Sequence, residues 1–172
     1  MEIQHTYSTH QPIYTDGSKD QEKVSAVMYA PLFVDTARLP NNSSIIFAEL
    51  YALLLVLQKI QSHKSSKFIV FTDSLSSLQS ISFSLVLQLL EIYNFLLQKG
   101  KTIVFCWIPS HMGIRGNKKV NSIAKTALNS DMSSFKVLYL ISNSFSRKYI
   151  IIFSSLNATL QMVINYIKYN PL

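Results

Sequence analysis

Glycine and cysteine are scarce in this chain of 172 residues. It contains only four glycines, where ordinary usage predicts roughly 12. We therefore expect each glycine to lie where the backbone needs one. The single cysteine, Cys106, excludes a disulfide framework and a multi-cysteine zinc site. This favours a reducing, intracellular location, either the cytoplasm or the nucleus.

Long hydrophobic runs are also missing. Uninterrupted apolar stretches, such as those at 52–57 and 149–153, are far shorter than the roughly 18 residues that indicate a membrane-spanning helix. Residues 1–11 are polar and lack the apolar segment of a signal peptide. We expect neither secretion nor a membrane partner. An apolar content of 48% with 15% charged residues predicts a folded chain with its own core.

Positive charge is concentrated in the second half of the chain. The whole sequence has 16 basic and 9 acidic residues, a net charge of +7. Residues 1–86 have a net charge of −1 and residues 87–172 a net charge of +8. A basic half attracts polyanions such as nucleic acids, although it does not specify a fold.

Hydrophobic periodicity and turn residues predict an α/β domain with a mixed sheet flanked by helices. Strands are predicted at 11–15, 23–30, 32–39, 68–72 and 102–108, with a turn at 16–18 and a loop at 109–116. Helices are predicted at 44–60, with Ser43 or Ser44 as its N-terminal cap, and at 75–81, 85–98 and 117–128, with Gly100 as a left-handed cap. The predicted organisation is a linker (1–10), a domain (11–130) and an appendage that is weakly helical or a linker (131–172).

Two aspartates follow predicted strands in nearly identical settings. Asp16 occurs in Tyr-Thr-Asp-Gly-Ser, and Asp73 in Phe-Thr-Asp-Ser. If the two strands are parallel neighbours, both carboxylates lie at the strand ends where ligand sites of open α/β sheets form. The alternative, which the residues alone leave open, is that each aspartate caps the turn after its strand.

Glu49 is a third acidic candidate, near the start of a predicted helix and among apolar residues. It either favours the positive end of the helix dipole or joins the two aspartates. Three converging carboxylates repel one another and require a cation, and hard oxygen ligands suit Mg²⁺. Two such ions can hold the attacking and leaving oxygens of a phosphodiester.

His111 lies in the fourth candidate element, a predicted loop that contains two of the four glycines. In a chain that otherwise avoids glycine, this favours a tight loop that brings His111 to the end of the sheet. The alternative is a solvated loop histidine without a role.

These segments, in this order and spacing, resemble the RNase H family. The motifs are TDGSK at 15–19, AELYALLLVL at 48–57, TDS at 72–74, and WIPSHMGIRGN at 107–117 followed by VNSIAK at 120–125. The resemblance covers about residues 11–128 and is greatest to the RNase H domains of non-LTR retrotransposon polyproteins. It implies a five-stranded mixed sheet of order 3-2-1-4-5. It also implies a reverse transcriptase region of a parent polyprotein as a partner.

The resemblance further implies an endoribonuclease that hydrolyses the RNA strand of RNA/DNA hybrids with two Mg²⁺ or Mn²⁺ ions. Asp16, Glu49 and Asp73 match its catalytic, metal-binding carboxylates. His111 matches a loop histidine that assists proton movement or product release. The positions that match substrate contacts are Gly17, Ser18, Ser74 and Asn117. Such a site reads A-form geometry and 2′-hydroxyls rather than base sequence.

The chain departs from the family pattern at the fourth catalytic and metal-ligand position. There the family has an aspartate, whereas this chain has Asn121, and Lys118 stands in place of a glutamate. An asparagine offers a neutral oxygen, so a charge is lost and one metal position is expected to be weakened. Disturbing an outer partner of a metal site already costs roughly 10–100-fold, so we expect reduced activity. The alternative is a non-catalytic hybrid-binding module, a degenerate retrotransposon remnant.

Overall fold

Five strands form one mixed sheet, and helices cover both of its faces. The computed structural model describes residues 6–74, 83–109 and 113–133. The strands are β1 (Gln11–Asp20), β2 (Lys23–Ala30), β3 (Phe33–Leu39), β4 (Lys67–Thr72) and β5 (Thr102–Trp107). The helices described here are α1 (Ile45–Ser62), α2 (Phe83–Gln98) and α3 (Arg115–Ala127). The sheet order is β3-β2-β1-β4-β5, so the fold and strand order predicted from the sequence are confirmed.

Antiparallel and parallel pairing meet at β1. This strand is antiparallel to β2, which is antiparallel to β3. On its other side β1 is parallel to β4, and β4 is parallel to β5. The pairing of β1 with β4 ends at Thr15 and Thr72. The two strands therefore finish this pairing side by side, at the end of the sheet where ligand sites form in α/β proteins.

Each face of the sheet has its own core, because successive side chains of a strand point to opposite faces. In β1, Ile13 packs in the core that includes α1 and α2, whereas Tyr14 packs in the core that includes α3. In β4, Phe68 and Ile69 are divided in the same way. Coverage on both faces explains why β4 is a continuous apolar run rather than an alternating one.

α1 is the central helix of the first core. It begins at a predicted cap, where Ser44 Oγ accepts a hydrogen bond from the backbone N–H of Phe47 at 3.1 Å. By length and apolar composition alone this helix could cross a membrane, but 56% of the segment is buried inside the protein. Its apolar character is explained by its position between the sheet on one side and α2 on the other.

The turn predicted at residues 16–18 is wrong, because β1 continues to Asp20. Pairing with β2 extends to Asp20 and Lys23, and the chain reverses at Gln21, whose φ is 52°. Asp-Gly-Ser is typical of turns, but here the neighbouring strand pairs with the whole segment. Asp16 is therefore a strand residue and not the cap of a turn.

The predicted boundary between the 109–116 loop and the last helix is also wrong, because α3 starts at Arg115 and includes Gly116. A Cβ on Gly116 would overlap the ring of Tyr14. Glycine allows the helix to approach β1 at this point, so its function there is close packing rather than loop flexibility. The predicted helix at 75–81 and residues 134–172 of the predicted appendage lie outside the described residues.

Candidate active site

Asp16 and Asp73 lie next to each other because β1 and β4 are parallel neighbours. Thr15 and Thr72 are the last paired residues of the two strands, and each aspartate is the next residue in the chain. The register therefore brings together two side chains that are 57 positions apart in the sequence.

Glu49 reaches the same place from α1, and Gly17 makes this possible. A Cβ on Gly17 would lie 3.0 Å from both the Ala48 Cβ and the Glu49 backbone nitrogen. Since contacts this short are not tolerated without a shift, only glycine lets α1 approach β1 this closely. Gly17 directly follows Asp16 in β1. It therefore sets how close Glu49 of α1 lies to Asp16.

The three carboxylates form an acidic cluster. One carboxylate oxygen each from Asp16, Glu49 and Asp73 lies within 4.8 Å of the others. Burial, followed by repulsion from Asp73, raises the pKa of Asp16 to about 7. Burial, followed by repulsion from Asp16, raises the pKa of Glu49 to about 8. A hydrogen bond from the Gly17 backbone to each of these two carboxylates opposes part of the rise.

The acidic cluster fits a divalent cation. Glu49 is 7% exposed, and its Oε2 atom is buried without a hydrogen-bond partner. A buried carboxylate oxygen without a partner costs free energy that a cation recovers. The donors are hard oxygen atoms, which Mg²⁺ and Mn²⁺ prefer over soft ligands. The residues present therefore fit the metal that the resemblance implies.

Asp73 is held in place by two other elements of the fold. The side-chain Nδ2–H of Asn117 donates to Asp73 Oδ2 at 3.0 Å. The indole Nε1–H of Trp107 donates to the backbone carbonyl of Asp73 at 3.2 Å. Asn117 is 4% exposed, and its bond to Asp73 places this predicted substrate contact against the acidic cluster. These two bonds orient the carboxylate from α3 and from the end of β5.

Asn121 follows Asn117 by one helical turn and shares its face of α3. Its Oδ1 atom is buried without a hydrogen-bond partner, as is that of Asn117. An amide oxygen in this condition can serve as a weak, neutral ligand. Lys125, one further turn along, is close enough for its charge to oppose the rise in the pKa of Asp16. The face of α3 toward the site therefore carries amides and a cation but no carboxylate.

The C-terminal end of α3 is fastened to the sheet by polar side chains. Ser25 Oγ, on β2, donates to the backbone carbonyl of Ala124 at 2.7 Å, one of the last four carbonyls that a helix leaves without an internal partner. Arg38, on β3, is 6% exposed and donates its Nε–H to the carbonyl of Leu128 at 3.0 Å. The other acceptors of its guanidinium are the Val24 and Leu39 carbonyls and Asn41 Oδ1. These bonds fix the position and orientation of α3, the helix that contains Asn117 and Asn121.

The remaining predicted site residues are placed as follows. Ser18 pairs with Ser25 in the β1–β2 ladder and is half-buried. Ser74 directly follows Asp73, and its backbone N–H donates to Thr72 Oγ1 at 3.2 Å. His111 lies outside the described residues.

Two contributors to the site were missed by the sequence analysis. Trp107 was noted only as part of a motif, and nothing in the chain pointed to its bond with Asp73. Arg38 lies in a strand between Ala37 and Leu39, a position at which an arginine is predicted to be exposed to solvent. Both side chains donate to backbone carbonyls of segments that are distant in the sequence. Since every residue has a backbone carbonyl, the side-chain types do not indicate which carbonyl is the acceptor.

Comparison with known proteins assigns most of the chain to one family. The family model described as RNase H matches residues 8–129. No curated protein matches the chain. The matched range spans the five strands of the sheet and includes Asp16, Glu49 and Asp73. The chain therefore belongs to the RNase H family.

Proposed function

We propose that this protein hydrolyses the RNA strand of RNA/DNA hybrids with Mg²⁺ or Mn²⁺ held by Asp16, Glu49 and Asp73. The observation that carries the proposal is the convergence of these carboxylates within 4.8 Å in a domain of the RNase H family. Family membership supports ribonuclease activity and hybrid binding in general. The likeness of the motifs to those of retrotransposon polyproteins supports an origin in such an element.

Each residue of the site has a defined part in this proposal. Divalent ions, when bound, supply Lewis acidity at the phosphodiester and lower the pKa of a bound water. Asp16, Glu49 and Asp73 would hold them through carboxylate oxygens. Asn117 keeps the Asp73 carboxylate oriented, and Asn121 would offer a neutral amide oxygen. His111 would assist proton movement or product release from the loop before α3.

The test is an assay in which the purified chain of 172 residues is incubated with a hybrid labelled on each strand. We expect Mg²⁺- or Mn²⁺-dependent cleavage of the RNA strand, with 3′-hydroxyl and 5′-phosphate ends and an intact DNA strand. Asp16→Asn should reduce cleavage to background, whereas Ser122→Ala, an exposed position on α3, should leave it unchanged. Equal cleavage by the wild type and Asp16→Asn would overturn the proposal.

A second candidate function is a hybrid-binding module without catalysis. The observation that favours it is the amide of Asn121, whose buried Oδ1 has no partner at the position where the family pattern has a carboxylate. Loss of one ligand charge weakens the metal site but leaves the basic residues of α3, which are Arg115, Lys118, Lys119 and Lys125, available to bind phosphates.

Asn121→Asp distinguishes the two functions. If the site is catalytic and impaired at one ligand, restoring the carboxylate should increase the cleavage rate at least about 10-fold. No gain in cleavage, together with retained affinity of the wild type for the hybrid, would favour the binding module. Calorimetric titration of the wild type and of Asn121→Asp measures the affinity of each for Mn²⁺, and a higher affinity in the variant shows that the new carboxylate binds the ion.

A further inference from the structure

The outer edge of β3 forms one side of the sheet. β3 pairs with β2 along its inner edge, and no other strand of the described residues pairs with it. The strand is exposed at Val34, Asp35 and Thr36, and Val34 is 47% exposed. A row of backbone groups at the edge of a sheet is a template on which a further strand can pair. This edge is therefore a surface for strand addition.

Ser133, the last described residue, already lies against this edge. Its backbone N–H donates to the carbonyl of Arg38 at 3.1 Å. In return, the backbone N–H of Arg38 donates to Ser133 Oγ at 3.0 Å. Two strands exchange both bonds between one pair of residues when they are antiparallel, and here the serine hydroxyl takes the place of the serine carbonyl. The chain therefore reaches β3 in the geometry that begins an antiparallel pair.

The contact between Ser133 and Arg38 defines a register for the residues that follow. In an antiparallel pair, each step forward along one strand is a step back along the other. Residues 134–138 would therefore lie opposite residues 37–33, in that order. Because backbone groups of alternate residues point to the same edge, Thr36 and Val34 present theirs outward together with Arg38.

The sequence of residues 134–138, Ser-Phe-Lys-Val-Leu, complements β3 in this register. On the face of the sheet that α1 covers, Lys136 would lie opposite Asp35, and opposite charges on paired residues stabilise a strand pair. On the same face, Leu138 would lie opposite Phe33, which packs against the core that includes α1 and α2. Charge and apolar character both match on this face.

The other face of β3 matches as well. Phe135 would lie beside Thr36, and Val137 beside the exposed side chain of Val34. Aromatic and β-branched residues are favoured in strands, and such pairs stabilise a sheet. A slip of one residue would exchange the faces of all these side chains and remove the ion pair of Lys136. The pattern therefore favours one register.

One hydrogen bond at the edge competes with this pairing. The backbone N–H of Thr36 donates to Asp35 Oδ1 at 3.0 Å, although the added strand needs this donor for the carbonyl of Phe135. The bond joins two adjacent, exposed residues. In the strand pair Thr36 would donate to that carbonyl instead, and the Asp35 carboxylate would gain Lys136. The competing bond is therefore exchanged and not lost.

We propose that residues 134–138 pair with the outer edge of β3 as a sixth strand, antiparallel to β3 and in the register set by Ser133 and Arg38. The sequence analysis predicted a weakly helical appendage or a linker here, and these residues lie outside the described ones. Covalent attachment at Ser133 favours this segment over a second copy of the chain, because it gives a high effective concentration at the edge. The added strand would extend the folded domain beyond α3 and close the edge to association with other chains. The inference does not depend on the proposed function.

The first experiment tests the register with an engineered disulfide in the chain of 172 residues. Asp35→Cys/Lys136→Cys joins two residues that form a non-hydrogen-bonded pair in the proposed register, with Cα atoms about 4.5 Å apart, a distance that a disulfide spans. Two controls, Asp35→Cys/Phe135→Cys and Asp35→Cys/Val137→Cys, move the second cysteine by one residue, to the other face. All three are made in Cys106→Ala so that only the two new thiols can react. Thermal unfolding verifies that the variants are folded.

Under oxidised glutathione, the disulfide within one chain should form at least about 10-fold faster in Asp35→Cys/Lys136→Cys than in either control, because only this pair meets the geometry of the bond. Non-reducing electrophoresis and mass spectrometry measure the rate and the connectivity. Equal rates in the three variants would overturn the proposal, because they would show only that the segment is nearby. A disulfide between two chains would also overturn it, since a second copy would then occupy the edge.

The second experiment tests the backbone pairing without new cysteines. In the proposed register, Val34 and Val137 exchange both backbone hydrogen bonds. Val137→Pro removes one of these donors. Lys136→Pro is the matched control, because the N–H that it removes points away from β3, and proline is tolerated in an edge strand when its missing N–H faces solvent.

Hydrogen exchange of the Val34 and Thr36 amides, followed by NMR, measures the result. Both amides should exchange slowly in the wild type and in Lys136→Pro, and at least roughly 10-fold faster in Val137→Pro, because the local pairing is lost. Exchange of Val34 in the wild type at the rate of a solvent-exposed amide would overturn the proposal. Equal exchange in the two proline variants would overturn the register.

Discussion

The Asn117 side chain donates its Nδ2–H to the Asp73 carboxylate at 3.0 Å, joining α3 to the end of β4. The two residues are 44 positions apart, and the bond joins two segments of the sequence that belong to separate motifs. Asn117 thus acts as a positioning residue for a candidate metal ligand. The consequences can be measured without any assay of cleavage.

Asn117→Ala should lower the affinity for Mn²⁺ by roughly 10–100-fold, because Asp73 loses the donor that orients its carboxylate. Isothermal titration of the purified chain measures this. Ser122→Ala, at an exposed position on the same helix, is the matched control and should bind Mn²⁺ like the wild type. Unchanged affinity in a folded Asn117→Ala protein would contradict the positioning role.

Gly17→Ala should separate β1 from α1, because the new methyl group would lie 3.0 Å from atoms of Ala48 and Glu49. Overpacking of this kind costs about 1–3 kcal/mol of the free energy of unfolding. Hybrid cleavage should fall as well, since Glu49 moves away from Asp16.

Gly100→Ala provides the control for Gly17→Ala. Gly100 has a φ of +75° with open space around its Cβ position, so alanine there strains the backbone by about 1–2 kcal/mol without moving the acidic cluster. Cleavage should be unchanged when both variants are assayed well below their melting temperatures. Loss of activity in both to the same degree would show that instability, and not the position of Glu49, is responsible.

The free energy of unfolding should fall with rising pH when no divalent ion is present. Asp16 and Glu49 have folded-state pKa values of about 7 and about 8, above the ordinary values of 3.8 and 4.5. Between about pH 5 and 8 the folded state therefore binds more protons than the unfolded chain, so stability is lost as they are released. Urea unfolding in EDTA measures this slope, which Glu49→Gln should reduce. A flat profile in the wild type would contradict the raised pKa values of Asp16 and Glu49.

Divalent ions should reverse this loss, and more strongly at pH 8 than at pH 5. Mn²⁺ competes with protons for the same carboxylates, so its binding is favoured when Asp16 and Glu49 are ionised. At 100 times the dissociation constant the ion adds about 2.7 kcal/mol, which raises the melting temperature by roughly 5–10 °C in a chain of this size. The triple variant with Asp16→Asn, Glu49→Gln and Asp73→Asn should show no Mn²⁺-dependent shift.

Arg38→Met should destabilise the fold by about 2–4 kcal/mol, because the buried carbonyl of Leu128 and its fellow acceptors lose a charged donor. Arg115→Met, at an exposed position at the start of α3, is the matched control and should change stability by less than about 0.5 kcal/mol. Chemical unfolding of both variants tests this. Equal stability of the two would show that the guanidinium bonds contribute little.

Much of the fold could be predicted from the chain because its signals are local. The strand runs, the Ser44 cap and the break at Gly100 each depend on residues within a few positions of one another. Two predictions failed where a distant segment altered a local preference. Asp-Gly-Ser is turn-like by composition but is held extended by β2, and Gly116 belongs to a helix because Tyr14 leaves no room for a side chain.

The candidate site could likewise be predicted only in part. The sequence shows the residue types, which are three carboxylates and an amide where a fourth carboxylate is expected. These types already indicate a cation site with oxygen ligands. Their mutual distances are not, because they depend on the parallel register of β1 with β4 and on how closely α1 approaches Gly17. Asn117 shows the difference most clearly, since the resemblance suggested a substrate contact and the structure shows a bond to Asp73.

The sequence by itself therefore determined the sheet with its helices, the acidic residues available for a cation, and the basic charge that favours a polyanion. Only the tertiary structure decided which carboxylates meet and what orients them. The physical reason is that helix and strand periodicity arises between neighbours in the chain. A functional site arises between side chains that only packing brings together.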